Sequence, residues 1–223
     1  MPRTGTTEFP EKVLISMAAT NPRSTRSTVD PTSPPAVTGG AALADPGPLG
    51  LAAFALTTFV LSLGNAGIVP TAGVAVLGLA LFYGGVTQLL AGMWEFAKGN
   101  TFGATAFASY GAFWLGFWYL VSTKGDGAAG SAGVGVFLLA FGIFTLYMTV
   151  AALKTTGALI AVFAFLTLTF FALALGELTG ASALSKLGGY LGLVTAILAW
   201  YTSFAGVTNS TFKRVVLPVF PRA

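Results

Sequence analysis

Glu95 is the acidic side chain that most needs a chemical explanation, because it sits near the end of a long apolar stretch with Lys98 three residues later. On a helix that spacing puts both groups on one face. The plain reading is an ion pair between them at a water interface. The sharper one is a carboxylate at the mouth of a path through the protein, relaying a proton or setting a charge preference. No second carboxylate within the apolar stretches can pair with it, which argues against two-carboxylate hydrolysis.

Histidine and cysteine are absent from all 223 residues. Disulfides, thiolate nucleophiles, histidine-containing triads and His/Cys metal sites are therefore excluded, and no metal, cofactor or enzymatic chemistry is expected. The polar groups left inside the apolar stretches are neutral, among them Thr57, Thr58, Gln88, Ser109, Tyr110, Thr145, Thr167 and Thr195. Hydroxyls and amides of this kind either cross-link helices or line a path. With no Arg or Lys at the midplane to clamp an anion, such a path suits a small solute that is weakly held or crosses as a neutral acid.

The elements that position these residues follow from composition. The chain is 55% hydrophobic and 8% charged, with a mean hydropathy of +0.81, whereas soluble domains are about one-quarter charged. Apolar stretches near 49–67, 73–96, 102–122, 132–153, 156–176 and 183–206 each match the ~20 residues that span ~30 Å of hydrocarbon. Turn and polar residues separate them: Asn65-Ala66-Gly67 with Pro70, Lys98-Gly99-Asn100, Lys124 to Gly127, Lys154 to Gly157, and Glu177 to Lys186. No barrel-type alternation is present, so the sequence predicts an all-α membrane protein with six transmembrane helices. Glycines at 84–85, 92, 103, 111, 116, 188–189 and 192 are expected to let those helices approach closely.

Residues 1–44, rich in Pro, Ser, Thr and Arg, read as a disordered cytoplasmic tail preceding a helical domain at 45–208 and a C-terminal tail at 209–223. Val13-Leu14-Ile15 is too short for the core of a secretory signal. Met17 is a second candidate initiator, which N-terminal sequencing would decide. With six spans both termini share a side. That side carries Arg3, Lys12, Arg23, Arg26, Lys98, Lys154, Lys213, Arg214 and Arg222, against Lys124 and Lys186 opposite. The positive-inside rule puts both termini in the cytoplasm. The net charge of +4 is thereby read as membrane orientation, without nucleic acid as a partner.

Asp45-Pro46-Gly47-Pro48-Leu49-Gly50-Leu51 resembles the Asn-Pro-Ala-Pro-Leu-Gly-Leu signature of the acetate uptake transporter family, also called the succinate-acetate permeases. The likeness continues through Phe54 to Phe59, Asn65-Ala66-Gly67, Phe82-Tyr83-Gly84-Gly85 with Gln88, Ala91 to Phe96 and, most extensively, Gly99 to Trp114. It is dense over 45–118 and thinner beyond.

The resemblance implies a hexamer in the plasma membrane, each protomer having its own path for acetate and, in some members, succinate, channel-like or proton-coupled. It also implies a constriction made by Phe54, Tyr110 and Leu166, with Asp45, Pro46, Pro48, Leu49, Gly50 and Leu51 at the substrate mouth; Glu95 as a candidate proton or charge site rests on the residues themselves, not on the resemblance. A dry ring of Phe, Tyr and Leu penalises bare charge, while the phenol can offer one hydrogen bond. Asp45 replaces the family Asn and Gly47 the Ala. Asp45 can still cap a helix; its charge either weakens carboxylate binding at the mouth or takes part in proton coupling. Some fungal relatives are linked to acetate sensing or ammonia export, which supplies the alternative functions.

Overall fold

The structure, a computed structural model, describes residues 43–122 and 130–222. The N-terminal tail, Met17 and the segment holding Lys124 lie outside the described residues. Six helices follow one another: α1 (Gly47–Asn65), α2 (Ala72–Lys98), α3 (Thr101–Ser122), α4 (Gly130–Ala152), α5 (Gly157–Thr179) and α6 (Ser182–Phe212). Among the described residues the extended pairing is confined to the single bridge Thr156–Pro221.

Five of these helices are long and apolar enough to cross a membrane. α3 is the exception in composition, not in length. Its 22 residues mix Gly, Ala, Thr, Ser, Tyr and Trp, which lowers its hydropathy. Those are residues suited to an interior position, and Ala106, Phe107, Tyr110, Phe113 and Trp114 on α3 are all buried.

Packing makes a ring: α1 lies against α2 and α6, α2 against α3, α6 against α5, α5 against α4, and α4 returns to α3. Large apolar side chains such as Val74, Phe82, Val136, Val150 and Phe204 face outward. In water this surface would be untenable; in hydrocarbon it costs nothing. Van der Waals contact between backbones then has to hold the ring, and glycine makes such contact possible. A Cβ at Gly92 would lie 2.5 Å from the Ala108 nitrogen, and one at Gly111 2.6 Å from the Leu89 nitrogen, so α2 and α3 touch backbone to backbone. Gly189 meets Ala66 at the other seam in the same way. Gly116 has only ordinary clearance from Phe137 and is not a close-approach site.

α2 is not a plain helix. Between α-helical segments Ala72–Leu81 and Gln88–Lys98 it widens into a π turn, Phe82–Thr87. Thr87 Oγ1 donates to the Phe82 carbonyl five residues back, at 3.0 Å, which supports the wider turn. One extra residue rotates everything beyond it by about 100°. After that rotation Gln88, Ala91, Gly92 and Glu95 share the buried face.

Gly189→Ala is expected to cost about 1–3 kcal/mol, because the Ala66 backbone cannot yield. Gly78→Ala, where nothing lies within 4 Å, should be neutral or gain up to about 1 kcal/mol from helix propensity. Thermal unfolding of the purified variants in detergent checks both.

Candidate functional site

The ring encloses a cavity of about 270 Å³ that runs from the start of α1 to the middle of the bundle. Asp45 and Lys98, both solvent-exposed, lie at its outer end. Its inner end is lined by Phe54 of α1, Gln88 of α2, Tyr110 of α3 and Leu166 of α5, all nearly or fully buried. The three side chains that the resemblance assigns to a constriction thus lie together, from helices far apart in sequence. The Phe54 and Tyr110 rings are 5.7 Å apart.

The sequence pairing of Glu95 with Lys98 is not what forms. Lys98 Nζ instead binds Asp45 Oδ1 at 2.6 Å, and Asp45 Oδ1 also accepts from the Gly47 backbone at 3.1 Å. The reason is direction. Glu95 points into the bundle, 1% exposed, while Lys98 lies in the last turn of the helix within reach of the chain entering α1. Asp45 therefore caps the first turn of α1 and neutralises Lys98 together, so its charge does not stand alone at the mouth.

Glu95 is held by the turn that follows. Gly99, at φ +80°, ends α2 in a left-handed conformation that glycine adopts without strain. Asn100 then donates from Nδ2 to Glu95 Oε2 at 2.8 Å and accepts at Oδ1 from the Gly103 nitrogen at 3.1 Å, capping α3. Gly103 is small for a reason: a Cβ there would lie 2.8 Å from the Glu95 carboxyl carbon.

Of the signature residues, Asp45, Gly47, Pro48 and Leu51 line the cavity. Pro46 precedes the first helical residue, where a proline without N–H suits the helix start. Gly50 lets the Phe107 ring seat against α1, and Leu49 faces outward, 46% exposed. These two do not contact the cavity.

The expectation that the Tyr110 phenol offers a hydrogen bond to a solute is corrected by its partner. Tyr110 Oη and Thr145 Oγ1 are 2.9 Å apart, and Thr145 Oγ1 donates its one proton to the Phe141 carbonyl at 2.7 Å. Tyr110 is consequently the donor to Thr145. Its proton is committed to α4, and only its lone pairs remain for the cavity.

Gln88 enters from the sequence only as one of several neutral polar groups that could cross-link helices or line a path. It is 0% exposed, and neither Oε1 nor Nε2 has a hydrogen-bond partner in the protein. Leaving such a group unpaired costs about 1–3 kcal/mol. The rotation imposed by the π turn is what sends it to the inner end of the cavity.

The segment beyond α6 folds back as a strap. Asn209 accepts at Oδ1 from the Val216 and Leu217 nitrogens at 2.7 and 2.9 Å and donates to the Leu217 carbonyl at 2.8 Å. Tyr201 Oη donates to the Pro218 carbonyl at 2.6 Å. Carbonyls of Phe220 and Val219 then accept from Gly157 and Ala158, at 2.7 and 3.3 Å, while Thr156 Oγ1 accepts from Leu159 at 3.2 Å. Together they satisfy N–H groups that the start of α5 would otherwise leave open. Val219 consequently becomes part of the cavity lining.

A ring of six helices, five of them apolar enough to span a bilayer, around a cavity with a polar outer end and an aromatic inner end, defines a multi-pass membrane protein. The GPR1/FUN34/yaaH family model matches residues 27–222, and the chain belongs to that family. It is 43% identical to accumulation of dyads protein 2 of Saccharomyces cerevisiae, over 80% of this chain and 66% of that one. With acetate permease A of Emericella nidulans the identity is 43%, over 79% of this chain and 65% of the relative. The succinate-acetate/proton symporter SatP of Escherichia coli K12 is 41% identical over 81% of this chain and 97% of its own. The chain thus spans about two-thirds of the length of the two fungal relatives and nearly all of the bacterial one. A solved structure titled as that of the bacterial acetate channel SatP superposes with a TM-score of 0.76 at 40% identity, covering 79% of this chain and 99% of that chain.

Asn209→Ala should release the strap and leave the helices in place. Amide exchange of residues 216–222 and of Gly157 and Ala158 is expected to accelerate by at least about tenfold, as three hydrogen bonds of roughly 1 kcal/mol each are lost. Hydrogen exchange read by mass spectrometry checks this, with α3 as the internal reference.

Proposed function

We propose that this protein carries acetate and related short carboxylates across the plasma membrane through the cavity of each protomer, in a hexamer whose protomers work in parallel. The observation that carries the reading is the cavity itself, whose lining includes Phe54, Tyr110 and Leu166. Support also comes from the relatives named acetate permease and succinate-acetate/proton symporter. A mouth with a compensated charge pair admits a carboxylate from water, and a dry aromatic inner end rejects hydrated ions. The same features call for no bond-making chemistry, so the protein acts as a transporter and not as an enzyme. The Lys/Arg bias puts both termini, and with them the Asp45–Lys98 mouth, on the cytoplasmic side.

A relative named ammonia transport outward protein 2, 41% identical, gives a second reading: export of a small neutral base through the same path. Its test uses the same vesicles with methylammonium.

In proteoliposomes at neutral pH, labelled acetate is expected to enter at least about tenfold faster than in protein-free vesicles, a margin of roughly 1.4 kcal/mol in barrier height. An inward proton gradient tests coupling. Phe54→Ala and Leu166→Ala should widen the inner end and raise the propionate-to-acetate ratio several-fold, since a methylene is discriminated by about 1–3 kcal/mol at most. Wild-type flux equal to that of bare lipid would sink the proposal, and unchanged selectivity in both variants would remove these residues from the constriction.

A further inference from the structure

The inner end of the cavity holds a donor and acceptors whose arrangement restricts what can bind there. We propose that Gln88 is the residue that reads the carboxyl group, and that it binds the solute as the undissociated acid. This rests on the carboxylate-transport reading above.

Three observations carry it. Gln88 lines the cavity with both amide atoms unpartnered at full burial, and buried polar groups without a partner are uncommon enough to require a reason. It follows directly on a π turn, a distortion that recurs at functional sites. Tyr110, which lines the same cavity, has already spent its proton on Thr145.

The hydrogen-bond inventory then decides the species. Gln88 Nε2 supplies donors; Gln88 Oε1 and the Tyr110 oxygen supply only lone pairs. A carboxylate, an acceptor at both oxygens, could use the donor but would face those lone pairs with bare negative charge. A protonated acid presents an acceptor beside a donor. Its carbonyl takes the Nε2 proton, and its hydroxyl gives one to Oε1 or to the tyrosine oxygen. Among the described residues no cation offsets the anion at this depth, because Lys98, the one cationic side chain they place in the lining, is at the mouth and paired with Asp45. Gln88 has no area open to solvent, so a solute that reaches it is desolvated, which again favours the neutral form.

Other titrating groups have to be separated from this effect. Of the helices packed against α2, α1 carries no titratable side chain and α3 carries Tyr110 and Tyr119. Glu95 lies on the same face of α2 as Gln88, about 10 Å along the axis, and Asp45 and Lys98 are farther out.

The test uses purified full-length protein and two probes, acetate and acetamide, with ligand binding read as thermal stabilisation. Acetamide presents an acceptor beside a donor at every pH. It should stabilise the wild type equally at pH 5.5 and 7.5, whereas the apparent affinity for total acetate falls by about tenfold per pH unit as the acid dissociates. Glu95→Gln should keep that dependence. Gln88→Leu should weaken both probes by at least about tenfold without lowering the melting temperature of the ligand-free protein, since it removes polar atoms that have no partner. Gln88→Met takes its place should the leucine variant not be recovered folded.

Wild-type affinity for acetamide in the Gln88 variants, or acetate affinity that is the same at both pH values, would overturn the proposal. A Gln88 variant that melts lower and binds weakly in proportion would also overturn it, as the amide would then be a structural group. Intact acetamide binding in a wild type that moves no acetate in vesicles would instead count against the transport reading alone.

Discussion

Hydrocarbon gives a protein no hydrogen-bond partner, so a donor or acceptor that enters the bundle is either answered by the chain itself or, as with Gln88, left open. Helices answer the backbone, and the hydroxyls follow. Thr57, Thr145, Thr167, Thr169, Thr195 and Thr202 each donate to the carbonyl four residues back. This leaves their oxygens as acceptors, and Thr149, whose hydroxyl oxygen is 2.9 Å from that of Thr167, likewise donates to the Thr145 carbonyl. The interior is consequently rich in polar atoms and poor in available protons. Selectivity at the inner end of the cavity is a question of where a proton can still be found.

The outer end follows different rules because water reaches it. Asp45 accepts from the start of α1 and pairs with Lys98, while Asn100 caps α3 and holds Glu95. An exposed ion pair such as Asp45–Lys98 is worth less than about 1 kcal/mol in stability. Its importance lies in position, since it ties the first helix to the second at the rim of the cavity and removes net charge from the entrance. The C-terminal strap acts in the same way on the opposite wall, satisfying the start of α5 and bringing Val219 into the lining. Phe220 is held at φ +56°, a conformation that costs a non-glycine residue about 1–2 kcal/mol and that the hydrogen bonds of the strap maintain.

Much of the architecture was legible in the sequence, since apolar stretches of spanning length have few alternatives. The third helix could be read from its length and flanking turns, though its hydropathy falls short for the reason that puts it inside. Phe54, Tyr110 and Leu166 were brought together by resemblance; their convergence depends on packing between α1, α3 and α5, which no local pattern encodes. The partner of Lys98 lies 53 residues away, whereas helical spacing offered a nearer carboxylate that turns out to face inward. The commitment of the Tyr110 proton required knowing that Thr145 was already a donor. The π turn left no residue-level signature beyond Gly84-Gly85, so the direction taken by Gln88 could not be foreseen.

That turn makes chain length a control variable in its own right. Losing a single residue between 82 and 87 would leave the first half of α2 where it is and swing the second half as a unit, carrying the carboxamide, the buried glutamate and the glycine that contacts α3 to new bearings together. Relatives with identical side chains but a different count in this short window would present a different wall to the solute. A protein of this design can thus change what it admits by altering its register, with every chemical group retained.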